Sequence, residues 1–151
     1  MIGVMFVCYG NICRSPMAEF LFLQEIKKRK IEGEFFVSSS ATSYEEIGNG
    51  VHHGTRKILD RFGIDYSKKR ACHLEKSDYE KYDYFLVMDE ANLHDARCIL
   101  GGDSEKKVHK LLDFTDFSRD VADPWYTRNF EVTYDDIMLG IDGFLDYLRR
   151  K

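Results

Sequence analysis

The hydrophobic pattern of the chain alternates between short apolar runs and longer segments with helical spacing. Apolar runs that are typical of buried strands lie at Ile2 to Val7, Phe35 to Ser38, Tyr84 to Met88 and Val108 to Asp113. Segments whose apolar residues recur at helical spacing lie at Pro16 to Ile31, Val51 to Phe62, Glu90 to Leu100 and Val132 to Arg150. This alternation predicts an α/β fold in which a parallel sheet is flanked by helices on both faces.

The ends of the first predicted helix carry polar and charged signals. Ser15 is a suitable N-cap, and Pro16 suits the first helical turn. The basic run Lys27 to Lys30 complements the helix dipole at the other end. The segment from Cys8 to Arg14 is therefore expected to connect a strand directly to a helix N-terminus. Irregular structure is expected at Ser39 to Gly50, Tyr66 to Glu75 and Phe114 to Asn129.

Composition and charge narrow the class of protein. A chain of 151 residues, 44% of them hydrophobic, is expected to form one domain over residues 1–151. A net charge of −4 argues against nucleic acid as the main partner. The longest uncharged apolar run, Met1 to Tyr9, is too short for a membrane span. Four cysteines without an export signal predict free thiols in a reducing compartment, the cytoplasm.

Candidate chemistry is concentrated between Cys8 and Arg14. Gly10 and Asn11 tolerate the dihedral angles of a tight loop. Such a loop can direct successive backbone N–H groups, assisted by the helix dipole, at a single anion. The guanidinium of Arg14 can clamp two oxygens of a phosphate in a fork. The sequence therefore predicts a cradle for a phosphate dianion.

A cysteine in such a cradle is expected to be a nucleophile. The positive field favours the thiolate of Cys8, which can attack a bound phosphorus in line. Ser15 can donate a hydrogen bond to the sulfur as it departs. Cys13 is either a packing residue or a partner that Cys8 meets on oxidation, and both interpretations stay open. The residues expected to contact the substrate in this loop are Tyr9, Gly10, Asn11, Ile12, Cys13 and Ser15.

Transfer of a phosphoryl group from an aryl ester also needs an acid, because a phenolate with a pKa of about 10 leaves poorly at neutral pH. Asp123 is the best candidate, since Pro124 stiffens the chain beside it. The adjacent Trp125 and Tyr126 can form walls for a phenyl ring, although they could also be core aromatics. An Asp-Pro pair alone is more often an ordinary turn.

Four motifs of the chain occur together in one family. They are CYGNICRSP at residues 8–16, SSATSYEEIG at 39–48, MDEANL at 88–93 and DPWY at 123–126. Together they resemble the low-molecular-weight protein tyrosine phosphatases over essentially the whole chain. The resemblance implies a four-stranded parallel sheet and hydrolysis of phosphotyrosine through a cysteinyl-phosphate intermediate, with no metal and no cofactor.

The resemblance also implies roles for single residues. Cys8 is the expected nucleophile, Arg14 the phosphate clamp, and Asp123 the general acid and then the base for water. Residues that match the family's loop-supporting positions are Asn11, Ser15 and Ser39. A histidine that joins this polar network in many members has no clean counterpart in residues 67–73, and Tyr9 replaces a smaller apolar residue.

The expected partners are phosphotyrosine-containing proteins, with phosphate or vanadate as inhibitory anions, and the expected state is a monomer. A protein arginine phosphatase is the main alternative, but in that group a Thr stands where this chain has Ile12. A thioredoxin-linked arsenate reductase needs two further cysteines near the third strand, where only Cys98 lies. A zinc site at Cys8 and Cys13 lacks a second ligand pair. A phosphate-binding module without catalysis would be expected to lose Cys8 or Asp123.

Overall fold

The computed structural model describes residues Met1 to Lys151 and contains one four-stranded sheet. The strands are β1 (Ile2–Cys8), β2 (Phe35–Ala41), β3 (Tyr84–Val87) and β4 (Val108–Lys110). All neighbouring strands are parallel, in the spatial order β2-β1-β3-β4. The predicted α/β fold with a four-stranded parallel sheet is confirmed.

Six α-helices connect or follow the strands. They are α1 (Arg14–Lys28), α2 (His53–Asp60), α3 (Asp78–Lys81), α4 (Glu90–Leu100), α5 (Pro124–Thr127) and α6 (Phe130–Arg149). Two short 3₁₀ helices lie at Glu32–Glu34 and Leu111–Phe114. None of the helices combines the length and the apolar character that a bilayer crossing requires.

The sheet separates two hydrophobic cores, because successive side chains of a strand point to opposite faces. Val4, Phe6 and Cys8 of β1 belong to a large cluster shared with α1, α2 and α6. Met5 and Val7 belong to a smaller cluster shared with α4. Helices therefore cover both faces, as predicted, and the thiol of Cys8 lies on the face that α1 and α6 cover.

The start of α1 differs from the expectation. Cys13 occupies the N-cap position and Arg14 is the first helical residue, so the prediction of Ser15 as N-cap is wrong. The hydroxyl of Ser15 instead lies 3.0 Å from the sulfur of Cys8. A side chain that turns back into the preceding loop cannot cap the backbone of its own helix.

Other boundaries shift where tertiary contacts extend or end an element. β2 continues to Ala41 because it pairs with β1 along its whole length, up to the pair Cys8 and Ala41. β4 ends at Lys110 because the following residues form a 3₁₀ helix whose Leu111 and Leu112 are buried. The helix predicted from Val51 to Phe62 is shorter at both ends, and α3 and α5 were not predicted.

The topology brings the ends of β1 and β3 together. These two strands are paired up to Val7 and Val87, so Cys8 and the Met88-Asp89 pair emerge at the same edge of the sheet. In open α/β sheets, ligands bind at the carboxyl edge where the strand order changes direction. This edge holds the residues described next.

Candidate active site

The loop from Cys8 to Ser15, here called the phosphate loop, closes around one sulfur atom. Sγ of Cys8 accepts hydrogen bonds from the backbone N–H of Asn11 at 3.3 Å and of Ser15 at 3.4 Å. The Ser15 hydroxyl is a third neighbour at 3.0 Å. Asn11 has φ 61°, a left-handed conformation that lets the backbone turn its N–H groups inward. Donors that converge in this way stabilise negative charge at the centre of the loop.

The carboxamide of Asn11 determines the direction of the hydrogen bonds behind the loop. Its Oδ1 accepts from the backbone N–H of Cys72 at 3.1 Å, a group that can only donate. Its Nδ2 therefore donates to Oγ of Ser15 at 2.7 Å and to Oγ of Ser39 at 2.9 Å. Because Ser15 Oγ accepts from Asn11, its own hydrogen remains to be donated to the sulfur of Cys8.

Within residues 67–73, where the sequence offered no clean counterpart of the family's histidine, the residue that contacts Asn11 is Cys72, through its backbone N–H. The Cys72 thiol lies 3.3 Å from the carbonyl oxygen of Ser39. Lys69 Nζ donates to the same carbonyl at 3.0 Å, and Ser39 Oγ donates to Glu19. Glu19 and Lys69 were not predicted as site residues. Glu19 was detectable, since it lies four residues after Ser15 and so on the same side of α1.

Arg14 is buried and surrounded by acceptors. Its Nη2 lies 2.9 Å from Oδ2 of Asp89 and 3.4 Å from Oδ2 of Asp123, and Nη1 donates to the Val121 carbonyl at 3.2 Å. Burial alone would lower the pKa of Arg14, but the negative charges of Cys8, Asp123 and Asp89 raise it above its usual value. The guanidinium is therefore charged and held at the floor of the site.

Asp89 was not recognised as a site residue in the sequence. It follows β3, and its Oδ1 caps α4 by accepting from Asn92 N–H at 2.8 Å while Oδ2 contacts Arg14. The available signal was its position after a buried strand, because neighbouring parallel strands deliver such residues to one edge. The sequence alone does not state that β3 is the neighbour of β1.

Asp123 lies across the loop from Cys8 as the N-cap of α5. Its Oδ1 accepts from Trp125 N–H at 3.0 Å, and its other oxygen faces Arg14. The side chain is only partly buried, so a substrate oxygen can approach it. Cys8, Arg14 and Asp123 are therefore brought together, as the sequence analysis expected of a nucleophile, a clamp and an acid.

A cavity of about 530 Å³ opens above the phosphate loop. Its lining is made of Cys8, Tyr9, Gly10, Ile12, Cys13, Arg14, Glu45, Glu46, Asp89, Ala91, Asn92, Asp123, Trp125 and Tyr126. Trp125 and Tyr126 are 78% and 82% exposed, so the alternative that they are core aromatics is wrong, and they stand at the mouth with Tyr9. The predicted loop-supporting residues are buried on the side of the loop away from the cavity and do not line it; they are Asn11, Ser15 and Ser39.

All four cysteines are free, and Cys13 is partly buried. Burial, followed by the negative charge of Cys8, raises the pKa of Cys13 to about 12. The Cys13 thiol is therefore protonated at neutral pH.

Cys98 lies on the exposed surface of α4, next to His94.

The parallel sheet and the cysteine at the focus of an anion-binding loop define a class of α/β proteins with a cysteine-centred phosphate loop. Within this class, residues 3–151 match the family model described as low molecular weight phosphotyrosine protein phosphatase. The chain belongs to this family.

Individual relatives cover almost the whole chain. It is 37% identical over 153 residues to the low molecular weight protein-tyrosine-phosphatase YfkJ of Bacillus subtilis, covering 100% of this chain and 98% of the relative. The YfkJ crystal structure superposes with a TM-score of 0.93 at 38% identity, covering 99% of this chain and 96% of that one. PtpA of Staphylococcus aureus (strain MRSA252), a protein of the same description, is 38% identical over 149 residues, covering 98% and 94%.

A solved Drosophila protein described as an arginine phosphatase has the same fold. Its TM-score is 0.86 at 23% identity, and 96% of each chain is covered. At this identity the likeness shows the fold alone.

Proposed function

We propose that this chain hydrolyses phosphotyrosine in proteins through a cysteinyl-phosphate intermediate on Cys8. The observation that carries the proposal is the position of the Cys8 sulfur. It lies at the focus of two backbone N–H groups and one hydroxyl, in a cavity whose lining also includes Asp123. The family to which the chain belongs supports the same reaction.

In the first step, the loop amides and Arg14 bind the phosphate dianion with phosphorus facing the sulfur. The Cys8 thiolate attacks in line, so that the S–P bond forms while the bond from phosphorus to the phenol oxygen breaks. Asp123, in its protonated form, gives its proton to the departing oxygen. The amides and the guanidinium stabilise the equatorial oxygens throughout.

In the second step, the phenol has left and Asp123 is a carboxylate. It accepts a proton from water, whose oxygen attacks phosphorus while the S–P bond breaks. The direction of the Asn11 network leaves the Ser15 hydroxyl as a donor to the departing thiolate. Phosphate is released, and the thiolate and the protonated acid are restored.

The walls of the cavity support an aromatic substrate. Ile12 lines the cavity just above the loop, and the rings of Trp125 and Tyr9 stand at its mouth. A β-branched apolar side chain packs against a flat phenyl ring, and each ring contact contributes about 0.5–1.5 kcal/mol beyond burial. A phosphoserine has too short a stem to place its phosphorus within reach of Cys8.

The remaining parts of the proposal concern the state of the enzyme. The cavity is complete within one chain, which supports a monomer in which residues 1–151 act as one domain. Free phosphate and vanadate are inhibitors because the loop binds tetrahedral and trigonal oxyanions. Four free cysteines, one of them the nucleophile, support a reducing compartment, the cytoplasm.

A kinetic panel with EDTA present tests the function. The substrates are p-nitrophenyl phosphate, a phosphotyrosine peptide, a phosphoserine peptide and a phosphoarginine peptide of matched sequence, and arsenate. We expect a burst of p-nitrophenol equal to the enzyme concentration, the highest kcat/KM for phosphotyrosine, and no effect of the chelator. A higher kcat/KM for phosphoarginine would overturn the substrate assignment, and reduction of arsenate would favour the reductase.

A further inference from the structure

The segment that carries Asp123 has little regular structure of its own. Between Thr115 and Asp123 the chain forms no helix or strand, and α5 is only four residues long. The side chain of Asp123 makes two contacts, Oδ1 with Trp125 N–H and Oδ2 with Arg14. Its position also depends on the backbone immediately before it.

That backbone is held from α6 at one residue. The N–H of Ala122 donates to Oδ2 of Asp136 at 2.9 Å, and the carbonyl of Ala122 accepts from Oγ1 of Thr133 at 2.8 Å. Thr133 and Asp136 are three residues apart, on one face of α6, and both are buried. Both backbone polar groups of the residue before Asp123 are thus fixed by one helix. We call this pair of contacts the Ala122 clamp.

Asp136 receives a second attachment from the same segment. Nη1 and Nη2 of Arg119 donate to its two oxygens at 3.0 and 2.7 Å. A buried carboxylate is costly unless it is paired and fully hydrogen-bonded. Here all three donors come from residues 119–122, although the neighbouring residues Ile137 and Ile141 belong to the apolar core. The Asp136 carboxylate therefore binds residues 119–122 and makes no contribution to the apolar packing of α6.

Val121, the residue before Ala122, is bonded to the edge of the sheet at which the phosphate loop lies. Val121 N–H donates to the carbonyl of Met88 at 2.8 Å, and its own carbonyl accepts from Arg14. Two consecutive residues thus have different anchors. Val121 is bonded to Met88 at the end of β3 and to Arg14, and Ala122 is bonded to α6. Asp123 follows directly from this pair.

We infer that Thr133 and Asp136 are positioning residues, which place the carboxyl group of Asp123 at the leaving oxygen by holding both polar groups of Ala122. The inference rests on the proposed role of Asp123 as general acid. Neither residue touches the substrate, and neither lines the cavity. Their removal therefore impairs proton donation and leaves anion binding by the phosphate loop intact.

The leaving group distinguishes positioning from a merely structural role. The ratio kcat/KM includes only the steps up to release of the phenol, so it reports phosphoryl transfer to Cys8. Phenyl phosphate needs a proton on its leaving oxygen, whereas 2,4-dinitrophenyl phosphate has an acidic phenol that departs without one. A misplaced acid slows the first substrate selectively, but a damaged fold slows both.

The variants are Thr133→Val, which keeps the shape and removes the donor, and Asp136→Leu, which keeps approximate volume and removes the acceptor. We expect each to lower kcat/KM for phenyl phosphate about 10- to 100-fold, since small misplacements have effects of this size. The values for 2,4-dinitrophenyl phosphate and the inhibition constant of vanadate should stay within about threefold. Thr133→Ser, which retains the hydroxyl, should recover most of the loss, and Asp135→Asn on the exposed face of α6 is the matched control.

A double-mutant cycle completes the test. In an Asp123→Asn background the Thr133→Val change should have no further effect, because there is no acid left to position. If Thr133→Val lowers kcat/KM equally for both substrates, or lowers it as much in the Asp123→Asn background as in the wild type, the positioning role is wrong. If Asp123→Asn itself slows both substrates equally, the acid assignment is wrong and the inference falls with it. Should Asp136→Leu not fold, Thr133→Val and Thr133→Ser decide alone.

Discussion

The two loops that build the active site differ in exposure and in the arrangement of their chemical groups. The phosphate loop is short, with its sulfur, amides and guanidinium within a few residues of one another in the chain, and the side chains of Asn11, Arg14 and Ser15 are buried. The segment from Thr115 to Asn129, here called the acid loop, is long and mostly exposed. Val121 and Ala122 attach it to the rest of the structure through Met88, Thr133 and Asp136.

This difference matches what each loop has to do. Stabilising charge on a transferring phosphoryl group requires dipoles that do not reorganise, which the phosphate loop provides through donors that converge on one buried sulfur. Donating a proton requires a group that substrate can reach, which places it on an open surface where other elements must hold it. Changes in the anion-binding groups of the phosphate loop should therefore affect substrates with good and poor leaving groups alike, whereas changes at Asp123 or in the contacts that hold it should depend on the leaving group.

The largest expected effect is that of Cys8→Ser. A serine hydroxyl is not ionised at neutral pH, so we expect residual turnover below about 1% on every substrate. Phosphate binding should persist, because the amides and Arg14 remain. Trp125, the only tryptophan of the chain, stands at the cavity mouth, and its fluorescence can follow phosphate binding. Turnover above that level would remove Cys8 from the nucleophile's role.

Arg14→Lys should also be severe although it keeps the charge. A lysine ammonium cannot make the planar two-point contact to phosphate, and it cannot replace the guanidinium between Asp89 and Asp123. We expect a loss of about 10²–10³ in kcat for phenyl phosphate and for 2,4-dinitrophenyl phosphate alike. Steady-state kinetics on the two substrates measures this, and a loss confined to one of them would contradict the contrast between the loops.

Asp123→Asn should show the opposite dependence. We expect kcat/KM for phenyl phosphate to fall about 10²–10⁴, with a much smaller loss for 2,4-dinitrophenyl phosphate. Asp116→Asn, in the same acid loop but outside the cavity lining, is a matched control. Equal losses on the two substrates would show that Asp123 is not the acid.

Ile12→Thr should change substrate preference more than rate. Ile12 lines the cavity where the ring of a phosphotyrosine would lie. A threonine leaves more room and adds a hydroxyl, which suits the thinner and more polar arginine phosphate. We expect the ratio of kcat/KM for matched phosphotyrosine and phosphoarginine peptides to fall, while the wild-type chain prefers phosphotyrosine. A ratio that does not change would assign the preference to the aromatic residues at the mouth.

The smallest effect concerns protection of the nucleophile from oxidation. Peroxide converts the Cys8 thiolate to a sulfenic acid with release of hydroxide, and a Cys13 thiolate can then attack its sulfur, forming the disulfide and displacing a second hydroxide. Because Cys13 has a pKa of about 12, its thiolate fraction rises about tenfold per pH unit across the neutral range. We therefore expect the yield of Cys8–Cys13 crosslink relative to Cys8 sulfinate to rise between about pH 7 and 9. Mass spectrometry of the oxidised protein measures it, and sulfinate without crosslink at any pH would exclude the pairing.

The sequence by itself determined the features that neighbouring residues control. The alternation of apolar runs and segments with helical spacing predicted the parallel sheet and the order of strands and helices along the chain. Buried strands and half-buried helices each leave their own spacing of apolar residues in the sequence. The proposed nucleophile, the proposed phosphate clamp and the backbone donors around them all lie in residues 8–15, so local geometry is enough to bring them together. Asp123 was found because its motif is also local.

Only the tertiary structure decided which distant groups complete the site. Asp89, Cys72 and Asp136 reach it through the neighbouring positions of β1 and β3, the pairing of β2 with β1, and the packing of α6. Ser15 was mistaken for a cap because its competing partners, Cys8 and Asn11, are recognisable only when the loop is closed. The exposure of Trp125 and Tyr126 likewise depends on which other elements pack against them, and the local sequence does not show this. A contact between distant residues depends on the order of the strands and the position of each helix, and neither is encoded in the pattern of one segment.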